Sequence, residues 1–120
     1  MTITSYRDLV VWQKAMELCV SVYAITKKFP QEEKYGLCSQ MQRSAVSIPS
    51  NIAEGRCRGT RKDFLQFLRI AYGSGAELET QFEIVFRLNL LRNDEYKKTT
   101  SLLEEVMKML NVMISKLVEK

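Results

Sequence analysis

The chain has 120 residues, of which 46% are apolar and 27% charged, with 2 prolines, 5 glycines and a formal net charge of +4. That length holds one hydrophobic core and not two, the apolar content excludes a disordered chain, and no apolar run approaches the roughly 18 residues of a membrane span. Histidine is absent, which removes Ser-His and Cys-His nucleophile pairs and every His-bearing metal site.

The opening Met1-Thr2-Ile3-Thr4-Ser5 lacks a basic start followed by an apolar block. No signal peptide and a cytoplasmic location are therefore expected. The first helical segment starts near Ser5, where Ser5-Tyr6-Arg7-Asp8 resembles a capping box closed by Asp8. Leu9, Trp12, Met16, Cys19 and Tyr23 recur at steps of three and four and predict its inward stripe. It ends before Phe29-Pro30, because proline disfavours helix in the residue ahead of it.

The second segment starts around Gln31 to Glu33, where acidic residues suit a helix N-terminus. Its stripe is Cys38, Met41, Ala45, Ile48 and Ile52, with Pro49 expected on the opposite side. The 3-4 spacing runs through Pro49, so a bent continuation to about Glu54 is preferred to a stop at Ile48. Ser47, Ser50 and Asn51 are placed to serve backbone groups that the proline frees. Gly55 is then expected as the C-terminal cap.

The third segment opens at Thr60-Arg61-Lys62-Asp63, a second capping-box pattern. Phe64, Leu68, Ala71, Gly75, Leu78, Phe82 and Val85 form its seam, which ends near Leu91. Gly73 and Gly75 each cost roughly 1 kcal/mol against alanine in a helix interior. An uninterrupted helix closely approached by a neighbour is preferred to a break at these glycines.

In the fourth segment Asn93 is the expected N-cap, followed by acidic Asp94 and Glu95. Its stripe is Tyr96, Thr99, Leu103, Val106, Leu110, Met113 and Leu117, widened by Leu102 and Met109. Short connections favour antiparallel neighbours. The expected fold is all-α: one domain over residues 1–120, an antiparallel up-down-up-down four-helix bundle about 40 Å long. Val11, Val22, Ile25, Phe67, Ile70, Phe86, Leu90 and Val112 lie off these stripes. They point to an oligomer, the alternative being ordinary scattered exposure.

Three cysteines, none in a Cys-x-x-Cys pair, argue against a disulfide framework. Cys19 and Cys38 fall on apolar stripes and read as small core residues. Cys57 sits between Arg56 and Arg58, where positive charge favours the thiolate. It is either a reactive thiol or a turn residue without a role. No carboxylate or thiolate cluster suggests a metal, and no cofactor is expected.

Residues 56–69 carry Arg56, Arg58, Arg61, Lys62 and Arg69 against Asp63 alone, a net +4 that equals the charge of the whole chain. The rest of the molecule therefore sums to zero.

Several strings carry a family likeness. They are Leu9-Val10-Val11-Trp12-Gln13-Lys14-Ala15, Phe29-Pro30 with Glu33 and Tyr35-Gly36-Leu37, and Gln40 with Arg43. Ser47-Ile48-Pro49-Ser50-Asn51-Ile52-Ala53-Glu54-Gly55 is the most specific, followed by Phe64-Leu65-Gln66-Phe67-Leu68 and Ala71-Tyr72-Gly73-Ser74 leading to Glu77-Leu78-Glu79-Thr80. From about Leu9 to Leu91 the chain resembles the small four-helix-bundle proteins first noticed in intervening sequences of bacterial 23S ribosomal RNA genes. That family includes the accessory protein of diversity-generating retroelements. The resemblance implies a non-enzymatic protein that assembles into a homopentameric barrel. For the retroelement member it implies binding of nucleic acid and a reverse transcriptase through a basic surface.

Three functions are weighed. A nucleic-acid-binding or adaptor oligomer would use Arg56, Arg58, Arg61, Lys62 and Arg69 on phosphate backbones, since no aromatic residue interleaves with the cluster. The bland alternative for these residues is a solvated basic turn. A protein-interaction module would use apolar outer faces, with Glu77, Glu79 and Glu83 meeting Arg43 or Arg69. Catalysis is disfavoured, because Glu77 and Glu79 point to different helix faces and Glu79 and Glu83 lack any partner group of an active site. Of the motif residues Arg43, Pro49, Asn51, Glu54 and Gly55, Asn51 and Glu54 either contact a partner or serve the fold. In the second case Asn51 bonds backbone freed by Pro49, and Glu54 pairs with Arg43 or Arg56. Arg43→Ala would then lower stability and Arg58→Ala would not.

Overall fold

Connections of a few residues force each helix to run back along its predecessor. A computed structural model describes residues 5–119, so the expectation resting on the first four residues lies outside them. Four α-helices follow in order: α1 (Val10–Thr26), α2 (Ser39–Cys57), α3 (Arg61–Arg87) and α4 (Asn93–Val118). No strand occurs among the described residues.

Cross-helix registers establish the topology. Lys14, Ser21 and Lys28 of α1 and the turn after it face Glu105, Thr99 and Glu95 of α4, in descending order. Ser44, Ser47 and Gly55 of α2 face Gln81, Ser74 and Phe67 of α3. Gly75 and Phe82 of α3 face Met107 and Tyr96 of α4. All three pairs are antiparallel, and the bundle measures 45 × 23 × 21 Å.

The α3 and α4 stripes pack as their periodicity predicts. Leu68, Ala71, Gly75, Leu78, Phe82 and Val85 are buried, with Phe64 half-buried at the end. Tyr96, Thr99, Leu103, Val106 and Leu110 are buried, and Met113 and Leu117 are half-buried. Helix α3 passes Gly73 and Gly75 without a break. A Cβ on Gly75 would meet the Met107 sulfur, whereas a Cβ on Gly73 would meet nothing within 4 Å. Close approach therefore explains one glycine and not the other. The helix stops at Arg87 rather than Leu91, because Asn89 takes a left-handed φ of 54°. At the start of α4, Arg92 and not Asn93 is the capping residue, and its amide donates to Glu95 Oε1 at 2.8 Å.

Helix α1 corrects the expected stripe. Val11, Ala15, Leu18, Val22 and Ile25 are buried, while Met16 and Tyr23 are exposed and Leu9, Trp12 and Cys19 are half-buried. Both stripes have the same 3-4 spacing, and from Val11 and Trp12 onward they run one residue apart. An α-helix apolar on more than one side does not reveal by periodicity which side faces in. Ahead of α1, Ser5 Oγ accepts from the Arg7 amide, but this opens a single 3₁₀ turn, and Leu9 is extended before the α-helix begins.

Helix α2 is approached through a 3₁₀ turn at Gln31–Glu33 and a π-turn at Lys34–Cys38. Regular α-helix begins at Ser39, later than expected. Its stripe is buried as predicted, and the helix continues through Pro49 to Cys57. Pro49 is itself buried, contrary to its expected outward side. The reason is the breadth of the α2 contact: the helix packs on α1 and the turn ahead of it as well as on α3, so Ser44, Pro49 and Gly55 all join the buried face.

Candidate nucleic-acid interface

Two glycines shape the α2–α3 turn. Gly55 is not the helix cap: α2 runs two residues beyond it, and a Cβ there would sit 2.6 Å from Phe67 Cβ. Its missing side chain lets α2 and α3 touch. Gly59 is the left-handed residue, with φ +84°, a conformation that glycine adopts at no steric cost. Thr60 is extended and its hydroxyl accepts from the Asp63 amide at 3.1 Å, which starts α3 as expected. The turn thus folds the cations before and after it onto one end of the bundle.

The five predicted cations occupy three settings. Arg58 pairs with Glu54 at 2.6 Å and lies 4.9 Å from the centroid of the Phe67 ring. The hydrogen bond and charge of Glu54 hold its guanidinium protonated even further above neutrality than usual. Arg61 donates to the Leu117 carbonyl at the end of α4, and with half-buried Arg56 it lines a cavity of about 240 Å³. Gly59, Thr60, Phe64 and Leu117 complete that cavity. Lys62 and Arg69 are exposed on the outer flank of α3. Seven residues apart, they share one helix face.

Two aromatic rings belong to this end although none interrupts the basic run in sequence. Phe67 lies beside Arg58, and Phe64 lines the cavity with Arg61. Their spacing after Arg61 was readable only as core pattern; the short α2–α3 crossing is what brings them to the cations. Glu54, just ahead of the run, lowers the local charge by one.

The remaining motif residues do structural work along α2. Asn51 Nδ2 donates to the Ser47 carbonyl at 2.8 Å and to Ser47 Oγ at 2.9 Å, and Ser47 Oγ contacts Ser74 Oγ at 2.8 Å. Asn51 therefore serves Ser47 backbone, not the Ala45 carbonyl to which Pro49 can give no hydrogen bond. Gln81 is buried and donates to Ser44 Oγ at 3.2 Å, while its own carbonyl oxygen has no partner. Ser44, Ser74 and Gln81 carried no signal beyond helical register. Arg43 is exposed and forms no ion pair among the described residues, so the ion pair of Glu54 is with Arg58 instead. The stability contrast expected between Arg43→Ala and Arg58→Ala loses its basis.

Cys38 is buried and its thiol donates to the Thr26 carbonyl at 3.5 Å. Burial, then the charge of Glu33, pushes its pKa up, and burial does the same to half-buried Cys19. Cys57 is exposed. Among the described residues no group of three or more Cys, Asp or Glu could hold a metal, and no helix is long and apolar enough to cross a membrane.

Comparison with known proteins matches the chain to a family model and to solved structures. A family model described as "23S rRNA-intervening sequence protein" matches residues 7–112. A crystal structure from Bacteroides thetaiotaomicron, described as a protein with unknown function from the S23 ribosomal protein family, superposes with a TM-score of 0.81. It is 29% identical and the alignment covers 88% of this chain and 98% of that one. No curated protein matches the chain.

Proposed function

The chain belongs to the 23S rRNA-intervening sequence protein family, and from that premise we propose that it is a non-catalytic, oligomeric, cytoplasmic protein that binds nucleic acid through its basic end. One observation carries this reading: the net charge of the chain is concentrated in residues 56–69, and the α2–α3 turn gathers those side chains at one end. Arg58, Arg61, Lys62 and Arg69 are exposed there. Guanidinium and ammonium groups on such an end neutralise phosphates and release counterions, giving sequence-tolerant, salt-sensitive binding. Repetition around an oligomer, a homopentamer in this proposal, multiplies the contacts.

Exposed apolar side chains support the oligomer. Val20 is 67% exposed and Phe86 60%, and Met16, Tyr23, Ile70 and Ile84 are each at least 40% exposed. They also favour the second reading, a protein-interaction module without nucleic-acid affinity. In an adaptor the two surfaces cooperate: apolar faces assemble the oligomer, and the basic ends present nucleic acid to an enzyme such as a reverse transcriptase.

Binding of labelled duplex DNA and of structured RNA across a salt series tests the reading. Micromolar affinity that weakens as salt rises is expected. Absence of binding at low salt, with the oligomer intact by light scattering, leaves the interaction module.

A further inference from the structure

The cavity at the basic end differs from the open surface beside it. It is a cleft, open to solvent on one side, between the α2–α3 turn and the last turn of α4, about 240 Å³ in volume. We propose that it takes the terminal nucleotide of a nucleic-acid strand, recognised by its phosphomonoester, an inference that rests on the nucleic-acid reading of this end.

Size excludes the body of a duplex and admits one nucleotide unit. Charge then selects among phosphates. A phosphodiester carries one negative charge, whereas a phosphomonoester carries about 1.5 to 2 at neutral pH and has three free oxygens. Arg56 and Arg61 line the same small space. Two planar guanidinium groups there favour the more highly charged ester and can bond its oxygens in pairs. Arg61 gives one bond to the Leu117 carbonyl, which anchors its head at the wall and leaves its other donors available.

The apolar part of the lining matches the rest of a nucleotide. Phe64 is half-buried and contributes a ring to the wall. A base or sugar packed on that ring gains sequence-tolerant contact energy, as bases do on aromatic platforms. Gly59, needed there for its left-handed φ, adds only backbone to the lining. Lys62 and Arg69, outside the cavity, remain free to follow the diester backbone.

The test compares one single-stranded sequence in four forms: linear with a 5′-phosphate, linear with a 3′-phosphate, linear with hydroxyl ends, and circular. Each carries the same internal fluorophore and is titrated into the full chain. At least one phosphorylated form is expected to bind about tenfold or more tightly than the hydroxyl-ended and circular forms, the effect of one additional set of charge-assisted hydrogen bonds. Phe64→Leu, checked for unchanged helicity and assembly, is expected to shrink that ratio. Equal affinity for all four forms overturns the cavity proposal and leaves the basic-end reading standing. No affinity for any form overturns both. A nucleoside monophosphate that displaces the phosphorylated strand at concentrations comparable to the strand itself makes a free nucleotide the ligand and overturns the strand-end assignment.

Discussion

The two ends of the bundle carry similar numbers of charged residues and treat them differently. At the end where α3 hands over to α4, three cations find a carboxylate: Arg87 meets Glu83 at 3.0 Å, Arg92 meets Asp94 at 3.1 Å, and Lys28 reaches Glu95 at 4.0 Å. At the α2–α3 end Arg58 meets Glu54 at 2.6 Å, while Lys62 and Arg69 stand exposed on the flank of α3. Exposed pairs of the first kind add little stability, but they cancel the field. The α2–α3 end keeps the positive excess of residues 56–69, and field, not charge count, draws in a polyanion.

The largest effect expected from this contrast is on affinity. Replacing Arg56, Arg58, Arg61 and Lys62 with alanine together should weaken nucleic-acid binding by on the order of 10²-fold or more at low salt. Replacing Arg87 and Arg92 should change it by about twofold or less. Fluorescence anisotropy on both variants measures the gap, and equal losses would erase the distinction between the ends.

Stability provides the next test. Gly55→Ala forces a Cβ against Phe67 Cβ, an atom held close to the backbone, so overpacking of about 1–3 kcal/mol is expected. Gly75→Ala should cost less, because the atom in its way is the sulfur of the flexible Met107 side chain. Urea unfolding of the two variants ranks them. A smaller loss for Gly55→Ala would mean that α2 and α3 separate readily, and the basic end would lose its rigid frame.

A subtler change should go the other way. Glu54→Gln removes the carboxylate that holds Arg58, adding one uncompensated cation to the basic end. Affinity should rise about twofold to fivefold, with a steeper salt dependence. Asp94→Asn, at the opposite end, should leave affinity unchanged in the same assay.

These contrasts also show what could be read from the residues alone. Helices α3 and α4 were legible because most of their apolar residues gather on one side, so the longest 3-4 run marked the buried face. Helix α1 was not, since Val11-Ala15-Leu18 and Trp12-Met16-Cys19 are equally periodic and only packing against α2 and α4 selects the first. Gly55 and Gly59 show a second limit: a glycine that ends a helix and a glycine that admits a neighbour look alike until the crossing is known. The Glu54–Arg58 pair follows the i, i+4 rule of helix surfaces and was hidden only by the expectation that α2 stopped at Gly55. The cavity was not legible at all, because Leu117 is 56 residues from Arg61.

The smallest expected effect is chemical. At pH 8, Cys57 should be alkylated first, since Cys38 and Cys19 are shielded and burial raises their pKa and so lowers their thiolate fraction. Raising the pH toward 10 should narrow the difference in rate by ionising more of the shielded thiols. Mass spectrometry of partly alkylated protein gives the order. Bound nucleic acid should slow Cys57 and leave Cys38 unaffected.

Covalent footprinting of arginine and lysine side chains, with and without a short duplex, tests the central claim most directly. The account predicts protection of Arg56, Arg58, Arg61 and Lys62, with Arg87 and Arg92 modified at the same rate in both samples. Protection of Arg87 and Arg92, or none at the α2–α3 turn under conditions where the duplex is bound, would contradict it.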